Sequence, residues 1–357
     1  MNSAANDTDI NFAGFEIIHP LLRVNCTSAI LINILFFYAV YQYSRPELGS
    51  YKYVMMTFAT FEIFYAATDM IVMPGLFCWN HYIVYFSTSF LRNMSYNWQF
   101  ITCSYPAAYG QSIALLCVHF IYRYLIINKQ RLMFLFTFPY ALIWLLLFVM
   151  YSLNYWLTLF IGWEPTPEKN GLIRDKIYET HGVIVDNAQV LSIIFFKSTE
   201  NGLEPQWAAL LSLLNLSGLN AVVICTIFYL AWKIYSLIHS LEGVASKRTK
   251  KLHLMLFKAL ILQTCVPLLF GFLPVIIIYT APIVGWCIGF YSNLLIIFLS
   301  FYPLLDALVA IWVITDYRNG ILQLFHIRKY KASKVSGVTN QANTLRSMSE
   351  NQSQSRF

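Results

Sequence analysis

Seven long apolar blocks divide this chain, each long enough to cross a lipid bilayer. They run from Ile17 to Tyr41, Tyr53 to Cys78, Gln99 to Ile127, Leu132 to Phe160, Ala208 to Trp232, Leu254 to Tyr279 and Ile288 to Ile314. A helix rises about 1.5 Å per residue, so roughly 20 residues already span a hydrocarbon core about 30 Å thick. Hydrophobic residues fill 58% of the 357 positions and charged residues only 11%, against about 25% charged in an ordinary soluble domain. A water-soluble fold has no interior able to hide that much apolar surface. The period-two alternation of a β-barrel is absent, and within lipid the backbone must satisfy its own hydrogen bonds. The expected fold is an all-α membrane protein, a bundle of seven transmembrane helices. An odd number of crossings puts the termini on opposite sides.

Lys and Arg near the ends of spans mark the cytoplasmic side. With the N-terminus outside, the inner connections carry Arg45 and Lys52, then Lys129 and Arg131, then Lys247, Arg248, Lys250 and Lys251, and the tail adds Arg318, Arg328, Lys329, Lys331 and Lys334. The other face holds only Arg23, Arg92, Lys169, Arg174, Lys176 and Lys197, most of them in one long loop where the rule is weak. The N-terminus is therefore expected outside and the C-terminus in the cytoplasm. Residues 1–16 carry Asp7, Asp9 and Glu16 but no Lys or Arg. They lack the basic start of a cleaved signal peptide, so the first span reads as an uncleaved signal anchor. The sequons at Asn6 and Asn93 then fall outside and are candidate glycosylation sites. The net charge of +7 invites a nucleic-acid reading, but the positive residues line one membrane face. Attraction to anionic lipid headgroups is the plainer account.

The connection over 162–205 is too long for a plain link between packed helices. In it Val183-Ile184-Val185 and Val190 to Phe196 are rich in β-formers and flank the turn-like Asp186-Asn187-Ala188. Two readings stand, a small hairpin over the bundle and a mobile exposed loop. Residues 315–330 read as an amphipathic juxtamembrane segment. Residues 331–357, rich in Ser, Thr, Asn and Gln, read as a disordered cytoplasmic tail. All seven cysteines lie in or beside the apolar blocks. Cys78 and Cys103 both fall near the outer face; they either pair or stay as buried thiols, the second being the commoner state. No metal-ligand spacing is present and no cofactor is implied.

Ionisable groups inside a span cost several kcal/mol unless paired or hydrated, so each is a functional candidate. They are Glu62, Asp69, His119, Arg123, Lys258 and Asp306. Glu62 and Asp69 share a helix face about two turns apart, which should look into the bundle. Arg123, at the inner end of the third helix, is read either as the group that meets a partner protein or as a snorkelling anchor. Asp306 sits about 27 Å below the outer end of the seventh helix. It is expected to be held by Arg123 or Lys258, or else by hydrogen bonds from the second helix. Pro267 and Pro303 permit kinks that would serve as hinges. A ligand pocket is expected in the outer half of the bundle, lined by Tyr105, Tyr109, Asn215, Phe272, Tyr279 and Tyr291, with the long loop as its lid.

Four motif pieces stand in order at these helices. They are Leu48-Gly49-Ser50-Tyr51-Lys52-Tyr53, then His119-Phe120-Ile121-Tyr122-Arg123-Tyr124, then Leu256-Phe257-Lys258-Ala259-Leu260 with Gln263-Thr264 and Pro267, and last Tyr302-Pro303-Leu304-Leu305-Asp306 followed by Asp316-Tyr317-Arg318. Over nearly its whole length the chain resembles the nematode seven-transmembrane chemoreceptors of the Str type, the family that includes the diacetyl odorant receptor. The resemblance implies a G-protein-coupled receptor, with an odorant ligand and a heterotrimeric G protein as partners, in the plasma membrane of a sensory cilium. By that analogy Tyr122-Arg123-Tyr124 stands where rhodopsin-like receptors carry an acidic-Arg-Tyr triplet, and the acid is missing. Pro303 to Asp306 stands where they carry Asn-Pro-x-x-Tyr, and Ala307 replaces a proline common in the family. The competing classes fit less well. A seven-helix odorant channel would have its N-terminus inside, an intramembrane enzyme needs a motif such as Gly-x-Ser-x-Gly that is absent, and no internal repeat of a transporter is found.

Overall fold

The computed structural model describes residues 15–45, 48–93, 99–181, 185, 190–200, 202–240 and 247–326. It divides into two compact units, 1–318 and 319–357. Of the second, the described residues are the last turns of a helix and a closing turn at Phe325 and His326. Asn6, residues 327–330 and the tail over 331–357 lie outside the described residues.

Among the described residues, seven helices are long and apolar enough to cross a membrane. They are α1 (Phe15–Tyr43), α2 (Tyr51–Val72), α3 (Gln99–Asn128), α4 (Ala141–Gly162), α6 (Trp207–Ser240), the interrupted α7 (Lys247–Pro267) with α8 (Leu273–Ile283), and α9 (Ser292–Val313). A short α10 (Thr315–Leu324) follows α9. Between α7 and α8, Leu268–Phe272 forms a π turn. Pro267 and Pro274 remove two backbone donors on either side of it, and a wider turn absorbs the lost bonds.

Two apolar blocks end earlier or start later than their hydropathy indicates. The second stops at Val72, because Met73 turns left-handed at φ 44 and Pro74 cannot continue a helix. The chain then enters strand β1 (Pro74–Trp79), so Cys78 lies in a strand and not in a span. The fourth begins with a 3₁₀ stretch, Gln130–Phe136, and becomes α4 only at Ala141, after Pro139.

The connections at one end of the bundle build a lid. β1 pairs antiparallel with β2 (Tyr82–Ser87), and β2 with β3 (Val190–Ile194). The long loop therefore supplies the expected strand, and its partner among the described residues is β2 from the α2–α3 connection. Val183 and Ile184 lie outside the described residues. The loop also contains an unexpected helix, α5 (Pro167–His181), and a separate hairpin of β4 (Phe196–Thr199) with β5 (Gly202–Pro205). Asn93 closes a 3₁₀ turn at this end, and the rest of its sequon lies outside the described residues. All seven cysteines are free, so Cys78 and Cys103 stay as separate buried thiols. Burial in the lid pushes the Cys78 thiol up to about 12.

Beneath α5 a second small core forms from Phe15, Phe77, Phe86, Ile173, Ile177 and Val190. His181 is fully buried in it, with the rings of Phe77, Phe86 and Phe290 at 5.3, 5.6 and 5.5 Å. Asn293 Oδ1 accepts the Leu76 backbone N–H at 2.9 Å, which turns its Nδ2 toward His181 Nε2 at 3.1 Å. An amide nitrogen only donates, so Nε2 accepts and the ring proton sits on Nδ1, facing Thr180 Oγ1 at 2.8 Å. Burial holds the imidazole pKa at about 4, below its ordinary 6.5. His19, whose ring lies 5.3 Å from that of Phe15, is engaged with Thr88 Oγ1. A group depressed in the folded state stabilises it above the unfolded pKa, and that stability fades as pH falls toward the folded value. Amide protection in α5 is therefore expected to drop between about pH 6.5 and about pH 4. His181→Phe should flatten the profile, as hydrogen exchange at matched intrinsic rates will show; an unchanged slope in that variant refutes the assignment.

Candidate functional site

At the lid end, rings from several elements converge. Tyr65 of α2 stacks on Tyr105 of α3 at 5.9 Å. Tyr109 of α3 meets Phe272 of the π turn at 6.2 Å. Trp163 at the end of α4 stands 5.8 Å from Tyr85 of β2 and 6.0 Å from Tyr279 of α8. Trp163 is anchored in turn by donating its Nε1–H to Ser212 Oγ at 3.2 Å. Gly271 is required here, because a Cβ in its place would come 2.7 Å from the Tyr109 ring. The hydroxyls of Tyr65 and Tyr105 are buried and interact with each other, while that of Tyr109 is buried and makes no hydrogen bond among the described residues. A buried donor without an acceptor is costly, and a polar group supplied from outside the chain would satisfy it.

Of the expected pocket residues the structure brings together Tyr105, Tyr109, Phe272 and Tyr279. Two do not join them. Asn215 faces α4, where its Nδ2 donates to Asn154 Oδ1 at 2.9 Å and Thr158 Oγ1 at 2.7 Å. Tyr291 is 73% exposed. Three unexpected rings, Tyr65, Tyr85 and Trp163, take their places. Tyr65 was within reach of sequence reasoning, since it lies three residues from Glu62 and four from Asp69 on the same helix face.

In the middle of the bundle the buried acids sit in a polar seam. Tyr302 of α9 donates its hydroxyl to Glu62 Oε1 at 3.0 Å. Cys26 of α1 lies 3.5 Å from Asp69 Oδ2, with its thiol directed at the carboxyl. Asn25 donates to Ser300 Oγ at 2.7 Å, and Asn33 to the Pro303 carbonyl at 3.0 Å. Asp306 accepts from Gln263 Nε2 at 2.9 Å. The expectation that Arg123 or Lys258 holds Asp306 is thus corrected. Lys258 is exposed, as a long cation on an outward helix face prefers, and Arg123 is engaged elsewhere. A neutral amide supplies the donor without burying a second charge.

At the opposite end Arg123 is 3% exposed, and its guanidinium carbon lies 3.7 Å from the centroid of the Tyr51 ring. A desolvated cation–π contact is worth about 2 kcal/mol. The Tyr51 hydroxyl is 3.2 Å from His119 Nδ1. Arg123 Nε and Nη2 and His119 Nε2 have no hydrogen-bond partner among the described residues. Tyr122 packs on Tyr51 at 5.1 Å and on Phe136 at 4.9 Å, while the Tyr124 hydroxyl accepts from Asn128 at 2.9 Å. Near this end Arg45 forms a two-point ion pair with Asp316, with its Nη2 2.6 Å from Oδ1.

The seven-helix bundle, with a buried arginine toward one end of its third helix and a packed cluster of aromatic rings beneath the lid at the other, has a counterpart in fold among solved structures. The chain superposes on squid rhodopsin with a TM-score of 0.56 over 88% of this chain and 85% of that one, at 10% identity. That likeness establishes the fold alone. The sequence is more specific. The family described as serpentine type 7TM GPCR chemoreceptor Str matches residues 19–322. Serpentine receptor class r-10 of Caenorhabditis briggsae is 29% identical over 309 residues, covering 83% of this chain and 87% of that protein. The G-protein coupled receptor str-33 of Caenorhabditis elegans is 23% identical over 304 residues, covering 84% and 88%. The chain belongs to the Str family of serpentine chemoreceptors, a multi-pass membrane receptor family and not a family of enzymes.

The seam makes a contrast that can be measured. Gln263→Leu strips Asp306 of its donor and should cost about 1–3 kcal/mol, read as a lower thermal midpoint of the detergent-solubilised chain. Lys258→Gln should stay within about 0.5 kcal/mol of the parent. Equal losses in the two variants would return Lys258 to the seam.

Proposed function

We propose that this receptor binds a small, mostly apolar environmental chemical in the tyrosine-lined chamber and answers by activating a heterotrimeric G protein at the Arg123 end. In this reading the lid faces the outside and α10 the cytoplasm, as the distribution of Lys and Arg supports. The plasma membrane of a sensory cilium is the location assigned. Asn6 and Asn93 would then be available for glycosylation. The observation that carries the reading is the pairing in one bundle of a buried aromatic cluster, whose Tyr109 hydroxyl has no hydrogen-bond partner among the described residues, and a buried cation toward the far end of the same α3.

The route between them runs through the interrupted helix. Tyr109 and Phe272 touch at the π turn, and five residues below its start Gln263 holds Asp306. A small apolar cavity lies beside Pro267 and Leu268, walled by Ile113, Leu116 and Ile227. A ligand that displaces the Tyr109 ring bears on Gly271 directly and favours a state in which α7 has turned away from α9. It shifts the population only by its difference in affinity for the two states. Pro303, whose carbonyl is held by Asn33, gives α9 a matching point of flexure.

Screening chemicals on cells that express the chain, with a second-messenger readout, tests this reading. Once an agonist is found, Arg123→Ala should abolish the response at unchanged surface abundance. Tyr109→Ala should move the dose-response midpoint by about tenfold or more, the loss of a hot-spot contact. Asp306→Asn should alter ligand-free activity, since it keeps size but replaces the carboxyl that accepts from Gln263 with an amide. Full signalling by Arg123→Ala refutes the coupling site, and an unmoved midpoint in Tyr109→Ala places the ligand elsewhere.

A further inference from the structure

We infer that Tyr51 is the cover of Arg123 in the resting receptor. Its ring masks the guanidinium, and its withdrawal exposes the cation to a G protein. The inference rests on the reading that the Arg123 end is where a G protein couples.

The sequence builds this contact deliberately. Leu48 is buried, and its N–H bonds back to the Arg45 carbonyl at 3.0 Å. Gly49 then takes φ +53, a left-handed turn that a side chain strains against. The turn sets Tyr51 as the first residue of α2, at the height of Arg123 on α3. Arg45, at the other side of the turn, is tied to Asp316. The stretch Leu48-Gly49-Ser50-Tyr51 is in this way a bracket that delivers one aromatic ring to one arginine.

The clamp has two points. His119 and Arg123 stand four residues apart on α3, so they share a face one turn apart. The Tyr51 ring takes the guanidinium at 3.7 Å and its hydroxyl takes His119 Nδ1 at 3.2 Å. No acid stands beside Arg123 in Tyr122-Arg123-Tyr124, and the ring does the holding instead. The difference matters for release. A carboxylate would saturate the guanidinium donors, and any incoming acceptor would have to compete with it. A π face attracts the charge but does not use the N–H donors, and Nε and Nη2 have no acceptor among the described residues. Arg123 is therefore held and buried while two of its donor nitrogens can still take an acceptor. A segment that brings carbonyl or carboxylate oxygens gains those bonds as soon as the ring moves aside.

The test measures ligand-free guanine-nucleotide exchange on a heterotrimeric G protein, in membranes from cells expressing the full chain, normalised to surface receptor. Tyr51→Leu and Tyr51→Met remove the π face while filling the space. They should raise exchange by about fivefold or more, the lower end of ordinary allosteric couplings. Tyr51→Phe keeps the ring over Arg123 but loses the hydroxyl's contact with His119, so it should raise exchange less than Tyr51→Leu does. Adding Arg123→Ala to Tyr51→Leu should bring exchange back to background. Exchange at or below the parent level in Tyr51→Leu and Tyr51→Met overturns the cover. So does failure of both to reach the surface while Tyr51→Phe does, because the ring would then be a packing element only. If Tyr51→Leu is active and the added Arg123→Ala leaves it so, the coupling role of Arg123 itself falls.

Discussion

In the hydrocarbon core a polar side chain finds no water, so it meets another polar group or loses several kcal/mol. That demand fixes which faces of α1, α2, α7 and α9 look inward. Asn25 and Ser300, Asn33 and Pro303, Tyr302 and Glu62, Gln263 and Asp306 are all contacts between helices far apart in sequence. Between apolar helices in lipid there is no hydrophobic drive to choose one rotation over another. These bonds supply the choice, and the aromatic chamber and the Arg123 end are placed as a result.

The seam is only partly satisfied, and where it falls short is informative. Each of Glu62, Asp69 and Asp306 keeps one oxygen without a partner among the described residues. Among the described residues the Tyr109 hydroxyl in the aromatic cluster is also without a partner, as are two donor nitrogens of Arg123. Polar groups left short in a buried site mark where stability has been given up to function. In this chain such groups run from the lid end to the far end of α3. The packed regions around them, such as the Phe77, Phe86 and Phe290 core about His181, carry the stability in their place.

The spans were legible because a run of roughly 25 apolar residues has few other outcomes. The lid was not. β2 and β3 are joined in space but separated by more than a hundred residues, and their short apolar runs read equally well as the ends of helices. Pro74-Gly75, the turn signal that ends the second span, was there to be read. The acids inside the spans were visible because charge is rare there, but their partners were not. Gln263 and Tyr51 are neutral, and hydropathy gives no reason to prefer an amide or a ring to Lys258. Asn215 was assigned to the pocket for a similar reason: the sequence shows that a polar residue is present, not which neighbour it faces.

α4 shows what that rule means for a helix with almost no interior. Only Tyr155 and Leu159 are buried along it. Its contacts with α6 run instead through side chains, Tyr151 to Asn220 and Asn154 and Thr158 to Asn215. In evolutionary terms most of its surface can drift among apolar residues without consequence, because lipid accepts any of them. The positions that packing constrains are this polar ladder, Tyr155, which packs against the α3 backbone at Gly110, Leu159, Gly162 and Trp163 at its end. The position of such a helix is then set by a few fixed points along its length, and the residues between them answer to lipid.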